Sequence, residues 1–212
     1  KCRCPRNRRA TKSRSGAEWR VDFICDNVGL DLLFDLALAD FLLGRGWAQQ
    51  VTLHLKSQPF FVSDAMPADA TLAINALATA APAAEQALGR RLDTHLKTGR
   101  LRLATDPFWT GFLMFRDMPS HLHGDLAQAA LVVIKGDVNY RRLLDDRHWP
   151  HSTRMEDVTA YFPAPFVALR TLKGEIMVGL RPGQAEQIAV EDPAWLINGK
   201  RGVIHLVIPR EC

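Results

Sequence analysis

The sequence has no uninterrupted apolar run of the roughly 18–20 residues that a membrane-crossing helix needs. Its longest candidate, Leu30 to Leu43, is broken by Asp31, Asp35 and Asp40. The first residues are basic and polar with no apolar stretch behind them, so no secretory leader is expected. Cysteine is scarce: four residues, too scattered for a disulfide framework. Cys2 and Cys4 form a lone C-x-C with no second pair to complete a zinc site, Cys25 lies inside an apolar run and reads as a buried thiol, and Cys212 is terminal. This usage predicts a reducing, intracellular and cytoplasmic setting. A G-x-x-x-x-G-K-[ST] phosphate loop is missing, which argues against a P-loop nucleotide site. So is a G-x-G-x-x-G turn after the first apolar run, which weakens a dinucleotide or methyl-donor site. A phosphatase with an aspartate nucleophile and a second aspartate two residues on would need an acid where this chain has Val28.

What is present suits one α/β domain with a full core: 212 residues, 47% hydrophobic and 24% charged. The net charge of +4 conceals an uneven distribution. Residues 1–20 hold eight Lys or Arg against one acid, Glu18, so seven net positive charges there leave three net negative charges on the rest. Residues 1–17 are expected to be a disordered basic tail, and 18–212 a folded, mildly acidic domain. Nucleic-acid binding is not expected outside that tail.

Apolar periodicity orders the domain. Val21 to Cys25 reads as a strand closed by the turn Asp26-Asn27-Val28-Gly29. Leu30 to Leu43 reads as an amphipathic helix with Asp31, Asp35 and Asp40 on its polar side, ended by Gly44 and Gly46. Residues 51–55, 101–104, 131–134, 166–169 and 203–208 read as further strands. Residues 64–98 read as two helices broken near Pro82, residues 121–130 as a short helix, and Val138 to Leu144 as a helix start. The continuous apolar run Leu131 to Ile134 has the composition of a central strand buried on both faces. The alternation predicts a three-layer α/β/α sandwich around a mainly parallel sheet. Lys200 would reach the carboxyl end of that sheet only if the last strand ran antiparallel, and an antiparallel last strand is expected.

Ligands of open α/β sheets bind at the carboxyl ends of strands, where strand order reverses. Two strands end in polar residues with no packing role: the first in Asp26-Asn27, the central one in Lys135-Gly136-Asp137. Two carboxylates and an amide oxygen make a hard-oxygen set suited to Mg²⁺ or Mn²⁺. Asp26 and Asn27 equally suit a helix cap. Arg170 and Lys173 behind the fifth strand suit phosphate, or a pair of solvated charges. His121 and His123, at i and i+2 of a helix, are expected on the surface. Phe108, Trp109 and Trp149 are expected in the core or a pocket wall, and Asp145-Asp146 in a solvated turn.

The segments Asp26-Asn27-Val28-Gly29-Leu30-Asp31 through Asp35-Leu36-Ala37-Leu38-Ala39-Asp40, Asp106-Pro107-Phe108-Trp109, Lys135-Gly136-Asp137-Val138-Asn139-Tyr140-Arg141-Arg142-Leu143, Arg147-His148-Trp149-Pro150, Leu169-Arg170-Thr171-Leu172-Lys173 and Gly199-Lys200-Arg201-Gly202 occur here in order. Together they resemble the damage-control phosphatases, in particular the branch also named acidic-residue methyltransferase, over residues 18–208. The resemblance implies an α/β/α fold and divalent-metal-dependent hydrolysis of phosphate monoesters, with sugar phosphates such as fructose 1-phosphate as substrates and Mn²⁺, Ni²⁺, Co²⁺ or Mg²⁺ as the ion. It implies Asp26, Asn27 and Asp137 as metal ligands. It further implies catalytic roles for Asp26, Asp137 and Lys173, and substrate contacts from Asp31, Arg170, Thr171, Lys173 and Lys200. Family members usually carry Glu at the position of Asp31 and Ala at that of Val28. Their N-terminal helical region has no counterpart in this sequence, which predicts a partly exposed apolar face. The alternatives carried with this reading are a methyltransferase acting on protein carboxyl groups and a non-catalytic remnant that binds metal or metabolite.

Overall fold

A computed structural model describes residues 19–209; the expectations for residues 1–17, Cys2, Cys4 and Cys212 lie outside the described residues. Six strands among the described residues form one sheet: β1 (Arg20–Ile24), β2 (Gln50–Leu55), β3 (Leu101–Thr105), β4 (Leu131–Lys135), β5 (Phe166–Thr171) and β6 (Gly202–Val207). Among the described residues seven α-helices accompany them: α1 (Leu30–Gly44), α2 (Pro67–Ala78), α3 (Ala83–Lys97), α4 (Ser120–Leu126), α5 (Gly136–Leu143), α6 (Met155–Val158) and α7 (Gln184–Glu191). The spatial order is β3-β2-β1-β4-β5-β6. All neighbours pair parallel except β5 and β6, which run antiparallel with Thr171 opposite Gly202. The antiparallel last strand and the α/β/α layering agree with the sequence expectation.

Alternation along each strand divides the core in two. Val21, Phe23 and Cys25 of the first strand segment, with Val51, Leu53, Leu55 and Val133, pack under α1, α2 and α3. Ile24, Val132, Ile134, Phe166 and Ala168 face the other way, against α4, α5 and α6 and the rings of Phe108, Trp109 and Phe115. Cys25 is buried as expected, and burial pushes its thiol pKa well above the ordinary value. His121 and His123 are exposed as expected.

Helix α1 keeps the apolar stripe expected from the sequence but departs from that reading on its polar side. Its sheet-facing side is apolar, through Leu32, Leu36, Ala39 and Leu43. Two of the three aspartates assigned to the polar side are buried, Asp35 at 3% exposure and Asp40 at 8%, while Leu30, Phe34, Leu38 and Phe41 are exposed. The physical reason is pairing across elements. Asp40 accepts two hydrogen bonds from Arg91 Nε and one from Arg91 Nη2 on α3, and Asp35 accepts one from Lys135 on β4. A carboxylate with a fixed cationic partner can be buried; one without cannot. Helix periodicity finds the apolar stripe but not such partners.

Helices α2 and α3 cross at Gly89. A Cβ there would lie 2.2 Å from the Ala78 backbone nitrogen. Gly89→Ala is therefore expected to force the two helices apart and destabilise the protein by about 1–3 kcal/mol, read as a lowered urea midpoint.

Candidate metal and phosphate site

β1 leads to β2 and β3 on one side and, across the sheet, to β4, β5 and β6 on the other, so strand order reverses between β1 and β4. Their carboxyl ends flank a crevice at that point. Asp26 follows β1, and Gly136-Asp137 follow β4. A pocket of about 460 Å³ opens there, walled by Asp26, Asp31, Lys135, Gly136, Asp137 and Lys173, with Arg170, Thr171 and Ile204 on its flank. Six of the eight residues singled out from the sequence thus wall one cavity. Asn27 and Lys200 are not among its walls. Asn27 touches it through hydrogen bonds from its Nδ2 to Asp26 Oδ2 at 2.8 Å and to Asp31 Oδ2 at 3.2 Å. Lys200 stands just before β6, on the same end of the sheet because that strand is antiparallel.

Asp26 is buried, and Gly136 packs directly against its carboxylate. Burial pushes its pKa up to about 6; Lys56 and Lys173 pull it down, while Asp31 and Asp64 add to the rise. Among the described residues its one hydrogen-bond donor is the neutral Asn27 amide. A buried carboxylate without a bonded cation is the electrostatic demand that a metal ion meets.

Asp137 is held differently. Arg170 Nε donates to Asp137 Oδ1 at 2.6 Å, and the same guanidinium donates to the carbonyls of Gly174 and Ile176 and stacks over the Tyr140 ring. Arg170 and Thr171 lie within β5, not behind it as the sequence suggested, so they face opposite ways: Arg170 is buried, Thr171 exposed. The strand stops at Thr171, and Lys173 turns into the pocket from the segment beyond.

Asp64 was missed. Sequence periodicity assigned it to the helical stretch 64–98, but α2 begins at Pro67 and Asp64 forms an isolated antiparallel bridge with Asn27. The loop after β2 is zipped onto the Asp26 turn: Ala65 N donates to Asp26 O, Val28 N to Ser63 O, and Ser63 Oγ to Asn27 Oδ1 at 2.6 Å. Asp64 is buried and accepts from the backbone N–H groups of Phe60 and Phe61. Lys56, buried at the end of that strand, donates to the Trp109 carbonyl. No comparable positional signal marked it: Asp64 lies nine residues past the end of β2, whereas Asp26 lies two past the end of β1. Lys135, also missed as a site residue, walls the pocket.

The chain matches the damage-control phosphatase ARMT1-like domain over residues 8–188, a stretch that includes Asp26, Asn27, Asp64, Asp137 and Lys173. The chain belongs to this family. Among curated proteins it is 40% identical to damage-control phosphatase ARMT1 of Danio rerio over 194 residues, which is 90% of this chain and 43% of that protein. It is 39% identical to the Bos taurus protein of that name over 87% of this chain and 43% of the relative. For the Homo sapiens protein the figures are 36%, 93% and 45%. The chain therefore spans less than half the length of these damage-control phosphatases.

One other cluster among the described residues has the donors for a metal: Asp22 within β1, His54 within β2 and Asp125 on α4. Arg20 already fills it. Its guanidinium lies 2.9 Å from Asp22 and 3.0 Å from Asp125 Oδ1, while His54 Nε2 is 3.3 Å from Asp22. A metal would have to displace that cation, so the cluster reads as an ion-paired brace between β1, β2 and α4. No helix among the described residues is long and apolar enough to cross a membrane.

Proposed function

We propose that this chain carries the active site of a divalent-metal-dependent phosphatase that hydrolyses phosphate monoesters of small metabolites, sugar phosphates such as fructose 1-phosphate among them. The observation that supports this most is the meeting of Asp26, Asp31, Asp137, Lys135 and Lys173 in one pocket at the strand-order reversal. Acids and lysines in one cavity fit a cation and a phosphate together, and neither alone. Family membership supports the same reading.

Asp26, Asn27 and Asp137 would hold the ion, with Asp64 behind them. The ion would neutralise phosphate charge and polarise the phosphoryl group. The residues do the rest. Asn27 now turns its amide nitrogen to Asp26 and Asp31 and its oxygen to Ser63, so to join the ligand set it would exchange the two ends of its amide, with Asp31 and Ser63 as the groups that hold either orientation. Arg170 fixes the orientation of the Asp137 carboxylate. Lys173 is the exposed cation free to follow the phosphate, and it stabilises the charge that builds on the transferred group. Leu169 and Ile204 give the pocket an apolar flank.

The test is phosphate release from fructose 1-phosphate and a panel of small phosphomonoesters with Mn²⁺, Ni²⁺, Co²⁺ or Mg²⁺. No release from folded, metal-loaded protein would sink the proposal. Thermal stabilisation by metal without release would support a non-catalytic binding role instead.

A pH dependence follows. A proton on Asp26 competes with the ion, and its pKa is raised to about 6. Mn²⁺ affinity is expected to fall by about tenfold per pH unit below about pH 6 and to level off above it, measured by calorimetric titration. An affinity flat down to the ordinary carboxylate range would remove Asp26 from the ligand set.

A further inference from the structure

One ionic contact reaches the pocket from a residue outside it. Lys135, the last residue of β4, walls the cavity beside Asp26, Asp137 and Lys173. Its Nζ donates to Asp35 Oδ1 at 2.5 Å, and the side chains of this pair are 15% and 4% exposed. Asp35 lies one helical turn after Asp31 on α1, and its second oxygen, Oδ2, is buried with no hydrogen-bond partner among the described residues. Leu32, Leu36, Ala39 and Leu43 already pack this helix onto the sheet. A buried ion pair holds elements together no better than an apolar pair of similar volume. What an apolar pair cannot do is fix an ammonium at a cavity wall. A lysine stem is flexible, so its charge is placed only if a partner places it. The backbone around Lys135 is also pinned: Asn139 Nδ2 donates to the Lys135 carbonyl at 2.8 Å and to the Cys25 carbonyl at 3.1 Å, tying the ends of β4 and β1 together.

We propose that Asp35 is a positioning residue, which holds the Lys135 ammonium at the pocket wall where the phosphate group of the substrate binds. This rests on the phosphatase reading above. Asp35 touches neither substrate nor ion; it acts through Lys135.

The experiment uses inorganic phosphate as the probe, titrated calorimetrically into Mn²⁺-loaded protein, beside KM and kcat with fructose 1-phosphate. Asp35→Asn keeps the side-chain shape and removes the charge. Phosphate Kd and KM are expected to rise by about tenfold through loss of one placed charge-assisted contact, with kcat changed by less than about threefold. Lys135→Met is expected to raise KM at least as far, and the double variant to be no worse than Lys135→Met alone. A wild-type Kd and KM in Asp35→Asn, or effects of the two substitutions that simply multiply, would overturn the inference. If Asp35→Asn does not fold, Asp35→Glu, which displaces the ammonium by one methylene, must raise KM; an unchanged KM overturns the inference equally. Wild-type protein that neither binds phosphate nor turns over substrate overturns the phosphatase reading itself, and this inference with it.

Discussion

Replacing Gly136 with alanine is expected to abolish phosphate release and metal binding while leaving most of the fold intact. Two effects coincide at this position. The backbone has φ +84°, a region that residues with a Cβ rarely adopt. The added Cβ would also lie 1.8 Å from Asp26 Oδ2 and 2.3 Å from its Cγ, an impossible contact. Either the Asp26 carboxylate leaves its place or the β4–α5 turn opens and carries Asp137 away. Both routes separate the two acids that the turn brings together. The strain costs about 1–3 kcal/mol of stability, a loss that a domain of this size survives. Turnover is expected to fall by at least about a hundredfold, the size of effect that follows from misplacing reacting groups by about 1 Å. Purified Gly136→Ala, assayed for phosphate release and Mn²⁺ binding with circular dichroism as the fold control, checks this. Near-wild-type metal affinity would show that Asp26 is not the ligand.

Arg170→Met carries the second large effect, and here stability and activity should fall together. The guanidinium is buried and serves the Asp137 carboxylate, two backbone carbonyls and the Tyr140 ring at once. Methionine fills the volume but leaves a charge and two carbonyls without donors. Removing one partner of such a buried pair costs about 3–5 kcal/mol. Arg170→Lys is expected to recover little, since a single ammonium cannot span three acceptors in a planar fork. Urea denaturation and phosphate-release assays on both variants separate this from a surface role. An Arg170→Lys protein as stable and active as wild type would mean that the guanidinium fork is not needed to hold Asp137 and the Gly174 to Ile176 segment. The residue expected from family resemblance to touch substrate is, in this geometry, engaged in orienting Asp137 and closing the segment from Gly174 to Ile176.

Much of the architecture was legible because it is local. The run Leu131 to Ile134 announced a central strand, and β4 pairs on both edges. Pro82 separated two helices, and α2 ends before it while α3 begins after it. Asp26 and Asp137 stood out because acids directly after apolar strands have no packing reason to be there. Where local reading failed, a distant partner was responsible. Asp35 and Asp40 look like the polar side of a helix until Lys135 and Arg91 arrive from other elements. Asp64 looks like the start of a helix until the chain folds back and bonds to the Asp26 turn. Leu30, Phe34, Leu38 and Phe41 form an exposed apolar stripe on α1 that the periodicity reading did not pick out.

The hydrophobic run Val21 to Cys25, its missing glycine fingerprint and the Asp26-Asn27 pair behind it were properties of the sequence alone. They determined a strand, a turn without a dinucleotide site, and two hard-oxygen donors at its end. Only the tertiary structure decided what those donors meet. Strand order placed β4 beside β1, and so brought Asp137 across from Asp26. The same packing gave Asp137 to Arg170, Asn27 to Asp31 and Ser63, and Lys135 to Asp35. The reason is that periodicity records which side of its own element a residue occupies, whereas charge pairing joins residues 33 to 100 positions apart. That partnership is fixed by which elements pack together, and no single element encodes it.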